Sequence, residues 1–321
     1  MKVQIRVNFA QFWPAFTPDT FKMFFPFVYE KYDFVVSPNP EVVFYSVFTP
    51  HFKLGNGPRP TALLAPTFPG EFLRVLLTGE NVEPIMDHCD FAMSFSLRTD
   101  HPNHLRLPLW VYENRGWGYG PARLVKDPTT DWEKIAQEKT AFCNFVYSHD
   151  VPYRDSVFNL LSKYKRVDAA GRCRNNMHGW TPSKLPNPLQ GKLDFLRRYK
   201  FTLALENTIW PGYMTEKPVD PMFVNSIPIY FGDPEAKNSF DPAGYIDSTS
   251  FRSIEAMMGF VREVDNDRDL YLNMLAAPFY RDNVIPSYAR DEGILAFFDR
   301  IARAALGRRK PIYRASKARA G

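Results

Sequence analysis

The sequence predicts an α/β fold in two domains, on three observations. Short β-branched and aromatic runs recur along the chain, separated by loop or helical stretches rather than by hairpin turns. At 321 residues the chain is long enough for two domains of roughly 100–200 residues each. Between residues 112 and 139 it changes character: Gly116, Gly118 and Gly120 precede a polar stretch, which reads as a connection between two halves.

The elements follow in order. Residues 3–9 alternate apolar and polar and predict a first strand. Residues 21–32 are dense in Phe and Tyr and predict a helix packed on a sheet. Runs at 33–36, 42–47, 74–77 and 90–95 predict further strands. In the second half, 142–148 opens a new series, 157–164 is helical in pattern and 166–169 is strand-like. Residues 179–191 are Pro-rich and predict a loop, while 201–205 and 227–231 predict buried strands. Ile294, Leu295, Phe297, Phe298, Ile301 and Ala305 share one helical face, so a last helix is expected, crossing back or lying on a membrane surface.

Composition narrows the classes. Apolar residues at 45% and charged residues at 23% describe a globular chain, not a disordered one. The 16% of aromatics supplies a core and rings for packing against sugars or bases. The net charge of +5 is uneven: eight basic and no acidic residues fall between Arg300 and Gly321, leaving the remainder at −3. That argues against nucleic acid, which calls for positive charge on a folded face. The basic tail is expected as a solvated arm or a peripheral contact for acidic lipid. No run reaches the roughly 18 apolar residues of a membrane span, and the first residues lack a signal-peptide pattern. Cys89, Cys143 and Cys173 are odd in number and far apart, which points to a reducing, cytoplasmic setting without disulfides.

The chemistry concentrates between residues 201 and 233. The strand Phe201-Thr202-Leu203-Ala204-Leu205 ends in Glu206-Asn207-Thr208, and Gly212-Tyr213-Met214-Thr215-Glu216-Lys217 follows after a short loop. Ile227-Pro228-Ile229-Tyr230-Phe231-Gly232-Asp233 then closes a βαβ unit. In open α/β sheets the crevice beyond the strand carboxyl ends holds the ligand. A helix start there offers free N–H groups to a phosphate, Lys217 adds a cation, and Glu216 can accept from sugar hydroxyls.

These residues resemble the donor signature of glycosyltransferase family 10, the α-1,3/1,4-fucosyltransferases. In that family an F-E-N-S/T precedes a loop, Y-V-T-E-K, a helix and P-V/I-Y/W-G. Phe142 to Ser148, Arg154, Leu161 to Asp168 and Gly171 are similar to the entry of the family's donor domain. Thr78-Gly79-Glu80-Asn81, Cys89-Asp90-Phe91-Ala92 and Leu105 to Leu109 are similar to its bacterial N-terminal domain. Three departures stand out. Leu77 replaces an aromatic three residues before Glu80, and Leu205 replaces a common Phe. Pro218-Val219-Asp220-Pro221 replaces apolar residues and predicts a helix starting at Asp220, with Pro221 first.

The resemblance implies a GT-B fold, with two Rossmann-like domains facing across a cleft. The expected bounds are 1–125 for the acceptor domain, 126–139 for a linker, 140–285 for the donor domain, and 286–321 for a C-terminal helix and basic tail. It implies an inverting transfer of fucose from GDP-fucose to a hydroxyl of N-acetylglucosamine or glucose in an oligosaccharide acceptor, releasing GDP. Glu80 is implied as general base, Arg154 and Lys217 as cations on the leaving phosphates, and Asn207, Tyr213 and Glu216 as donor contacts, with Glu216 on the ribose. Two basic groups can do what a metal does elsewhere, so no metal or cofactor is expected. The competing readings are a transferase using another GDP-sugar, a non-catalytic nucleotide- or glycan-binding protein, and an RNA-binding module using the tail. Asp265-Asn266-Asp267 has a D-x-D form, but it precedes an apolar-periodic stretch and reads as a helix cap. His101 and His104 lack further ligands and read as polar loop residues. Dinucleotide, P-loop and serine-hydrolase motifs are absent from the sequence.

Overall fold

The computed structural model describes residues 2–48, 70–97, 100–148 and 151–307. The chain forms two compact units. The first comprises Met1–Pro121, Trp210–Tyr213 and Pro286–Gly321, and the second comprises Ala122–Ile209 and Met214–Ile285.

The first unit holds a six-stranded, all-parallel sheet of β1 (Val3–Ala10), β2 (Tyr32–Val36), β3 (Val42–Tyr45), β4 (Leu73–Leu77), β5 (Phe91–Ser94) and β6 (His104–Arg106). Their order is β2-β1-β3-β4-β5-β6, so the direction of progression reverses between β1 and β3. Three short helices accompany it: α1 (Pro18–Phe24), α2 (Val28–Lys31) and α3 (Leu109–Tyr112). Helix α1 starts on a capping box of Thr17 and Thr20 with Pro18 in its first turn, and buries Phe21 and Phe24. The Phe21 ring meets Phe44 at 4.6 Å and Phe9 at 5.1 Å.

The second unit repeats this topology with β7 (Ala141–Phe145), β8 (Val167–Ala169), β9 (Tyr199–Leu205), β10 (Ile227–Phe231) and β11 (Ile246–Asp247), again all parallel. The order β11-β10-β9-β7-β8 reverses between β7 and β9. Its helices are α4 (Trp132–Gln137), α5 (Pro152–Ser162), α6 (Pro188–Arg197), α7 (Val219–Phe223), α8 (Ile254–Asn266) and α9 (Arg268–Ala276). The core lies between the sheet and α5, α8 and α9, with Phe201, Leu203, Ile229, Val261 and Leu275 fully buried. Two parallel α/β units bear out the predicted fold class.

The last helix, α10 (Asp291–Leu306), returns to the first unit. It buries Ile294, Phe297, Phe298 and Ile301, and Phe298 lies 5.1 Å from the Phe25 ring. Asp299 accepts from Lys31 Nζ at 2.8 Å and Tyr32 Oη at 2.6 Å. Its apolar face is thus core, not a lipid-facing surface. The basic residues beyond Gly307 lie outside the described residues.

Several local expectations are revised. Residues 188–197, partly assigned to a loop, form α6, because Asn187 caps it and Pro188 takes its first position. Helix α7 starts at Val219, with Pro221 in its interior near the start. His104 is not a loop residue: it opens β6, is buried, and its Nε2 lies 2.9 Å from Ser94 Oγ. Asp267 does cap α9 through Leu270 N, while Asp265 pairs with Lys200 at 3.0 Å and with Lys165.

Candidate functional site

In the first unit, Glu80 follows the carboxyl end of β4, one strand beyond the reversal point. Leu77 is buried, and the chain leaves the sheet at Thr78, whose N–H donates to Met93 O at 3.1 Å. The Thr78 hydroxyl accepts from Glu80 N at 3.1 Å, and Glu80 O accepts from Val82 N at 2.7 Å. These bonds make a tight turn that leaves the Glu80 side chain half-buried. Gly79 permits it, because a Cβ there would lie 2.5 Å from Leu109 Cδ1 and 2.9 Å from Tyr112 Oη. Burial, then Glu113, then Glu80 push the Tyr112 phenol well above its ordinary pKa, so it stays protonated beside the turn.

The loop Trp210–Tyr213 belongs to this same unit. Trp210 Nε1 donates to Glu83 Oε1 at 3.4 Å. Tyr213 is buried, edge-on to Phe95 at 5.4 Å. Gly212 sits at φ +82°, where a Cβ would lie 2.8 Å from both Arg106 Nη1 and Phe95 O. Tyr213 is thus a packed residue of the first unit.

In the second unit, the candidates gather at the carboxyl ends of β7 and β9, the reversal point at which open α/β sheets bind ligands. Arg154, in the first turn of α5, is 1% exposed. Its Nη2 donates to Leu205 O at 2.8 Å and Asn207 Oδ1 at 2.5 Å, and its guanidinium lies 4.4 Å from the Tyr147 ring centroid. The carbonyl, the amide oxygen and the ring face hold the guanidinium in place. Tyr147 Oη is itself fixed between Leu203 O, at 3.0 Å, and Leu205 N.

Glu206, matched only as a motif letter in the sequence, is the anchor of the next segment. It is fully buried and accepts from Thr215 N at 2.7 Å, from the Thr215 hydroxyl at 2.8 Å and from Lys217 Nζ at 3.2 Å. Tyr153 Oη donates to its carbonyl. A fully buried carboxylate persists only with such partners, so Glu206 locks the Thr215-Glu216-Lys217 turn onto the end of β9. Lys217 also lies 3.9 Å from Glu216 Oε1, and Lys192 of α6 lies 4.0 Å from the same oxygen. Burial alone would raise the Glu216 carboxyl, but Lys217 and Lys192 outweigh it and hold its pKa down to about 2. Glu216 is thus an ionised acceptor at neutral pH.

Arg154, Asn207, Glu216 and Lys217 therefore share one unit and one sheet end, while Glu80 and Tyr213 lie in the other unit. Sequence reasoning missed Lys192 and Asp220, whose carboxylate receives Lys192 Nζ at 2.7 Å. Among the described residues no group of three His, Cys, Asp or Glu side chains is placed to hold a metal ion. No described helix is long and apolar enough to cross a membrane.

Two family models match the chain. "Glycosyltransferase family 10 (fucosyltransferase) C-term" covers residues 136–276, and "Alpha-(1,3)-fucosyltransferase FucT N-terminal domain" covers residues 66–112. The Alpha-(1,3)-fucosyltransferase FucT of Helicobacter pylori is 28% identical over 228 residues, which is 63% of this chain and 46% of that protein. The chain spans less than half the length of the curated relatives it matches, 26% and 46% for the first two. A crystal structure of alpha1,3-fucosyltransferase superposes with a TM-score of 0.70 at 25% identity, covering 94% of this chain and 90% of the other. A crystal structure of alpha1,3-fucosyltransferase with GDP-fucose gives 0.69 at 24% identity, covering 94% and 91%.

Proposed function

We propose that this chain, which belongs to glycosyltransferase family 10, transfers fucose from GDP-fucose to a hydroxyl of N-acetylglucosamine or glucose in a glycan acceptor, inverting the sugar configuration. The observation that carries this reading is the buried Arg154 held against Leu205 O and Asn207 Oδ1 at the reversal point of the second sheet. A guanidinium fixed there is suited to a diphosphate by charge and fork geometry. Lys217 supplies a second cation, Asn207 a neutral polar contact and Glu216 an acceptor for the ribose hydroxyls. Tyr213 shapes the loop between Asn207 and Glu216 in addition to its assigned donor contact.

The reaction is a single displacement. The acceptor oxygen bonds to the fucose anomeric carbon and gives its proton to Glu80, while the carbon–oxygen bond to GDP breaks and its electron pair passes to the phosphate oxygen. Glu80, half-buried in a tight turn, is suited to that proton. Arg154 and Lys217 offset the charge that grows on the leaving phosphate. The chain supplies base and cations itself, and no metal is assigned a step.

The test is an acceptor panel incubated with mass-tagged GDP-fucose, with a glycan-free control and with other GDP-sugars in parallel. Fucosylated product with stoichiometric GDP release is expected. Transfer only from another GDP-sugar would replace the donor assignment, and tight GDP binding without transfer to any acceptor would favour a binding protein.

A further inference from the structure

We propose that Lys192 and Asp220 are positioning residues that fix the Glu216 carboxylate for the ribose hydroxyls of the bound nucleoside diphosphate, an inference that rests on the ribose role of Glu216. Asp220 lies on the five-residue α7 and is 1% exposed. A carboxylate so deeply buried is costly unless paired. Its partner is Lys192 of the neighbouring α6, with Nζ 2.7 Å from Asp220 Oδ2.

Five contacts surround Glu216. Its carbonyl accepts from Asp220 N at 2.8 Å and from Val219 N at 3.1 Å, so the first turn of α7 fixes its backbone. The Asp220 side chain holds Lys192, and Lys192 faces the Glu216 carboxylate at 4.0 Å. Lys217 faces the same oxygen at 3.9 Å from the other neighbour. At these separations the two ammonium groups hold the carboxylate by charge without themselves occupying it at hydrogen-bond distance. Beside the Thr215 hydroxyl it keeps acceptor capacity for further O–H groups, which a vicinal diol supplies. Burial of Lys192 opposes its charge, but Asp220 and Glu216 outweigh this and raise its pKa, so it is a cation at neutral pH.

The discriminating measurement is calorimetric titration of the full chain with GDP and with 2′,3′-dideoxy-GDP at neutral pH. The natural protein is expected to prefer GDP by about tenfold or more, the scale of a hydrogen bond to a charged group. Glu216→Gln loses most of that preference. Lys192→Met and Asp220→Asn lose it too, by binding GDP about tenfold more weakly while binding the dideoxy compound as before. Lys192→Arg keeps it. A helix-packing role alone would move both ligands together. If Lys192→Met and Asp220→Asn keep the preference while Glu216→Gln loses it, the positioning role is overturned and the ribose role stands. If Glu216→Gln keeps it, the ribose role falls and the proposal with it. Should Lys192→Met fail to fold, Asp220→Asn against Lys192→Arg carries the same comparison.

Discussion

In the proposed reaction the donor side turns on Arg154. Its guanidinium reaches Leu205 O and Asn207 Oδ1 from one nitrogen, and its planar geometry is one that an ammonium cannot reproduce. Arg154→Lys keeps the charge and loses the fork. Its affinity for GDP-fucose, read by calorimetry, is expected to fall roughly tenfold to hundredfold, and a wild-type affinity would remove Arg154 from the phosphate role. Asn207 and the Glu216-Lys217 pair were legible because the motif places them at fixed intervals after a buried strand, and Arg154 through the family resemblance of the segment around residues 142–171. Lys192 and Asp220 were not: the partner of a buried charge can sit 28 residues away, and no local pattern spells it. Glu206 matched a motif letter without revealing that its carboxylate is consumed by Thr215 and Lys217.

At the scale of elements, most strands were legible because each is a β-branched or aromatic run, and β9 and β10 keep their expected cores at 201–205 and 227–231. The two-residue β11 was not, since so short a run has no period, and β6 was not, since His104 at its start reads as a loop residue. Helix α6 was obscured because the Asn187-Pro188 pair that starts it also reads as loop chemistry. The ends of α6 and α7 meet at the buried Lys139, whose Nζ donates to Arg197 O and Val224 O, both at 2.7 Å. Burial lowers its pKa to about 7. The unfolded amine titrates near 10.4, so the unfolded chain holds more protons between about pH 7 and 10. The contribution of Lys139 to stability therefore rises with pH across that window and is flat below it. Lys139→Met is expected to cost about 1–3 kcal/mol for each carbonyl left unsatisfied. It should also flatten the rise in urea midpoint between pH 8 and 10, with Lys126, similarly lowered to about 7, supplying the remainder. An unchanged slope would show that Lys139 does not titrate in that range.

For the whole molecule, the C-terminal helix links distant parts of the chain. The periodicity of α10 was legible, but the sheet it covers was not, because a helical stripe carries no address. Truncation before Asp291 strips cover from Phe25, Phe44 and Phe91 and removes buried Phe297 and Phe298, each worth about 1.5–3 kcal/mol. A melting curve for the shorter chain that matches the full one would contradict the role given to α10. The proposed reaction takes its carboxylate, Glu80, from the first unit and its two cations, Arg154 and Lys217, from the second. Its most direct test is Glu80→Gln, with turnover and GDP-fucose affinity measured on the same preparation. The account predicts unchanged affinity and turnover lower by about two to four orders of magnitude. Turnover near that of the natural protein would contradict it.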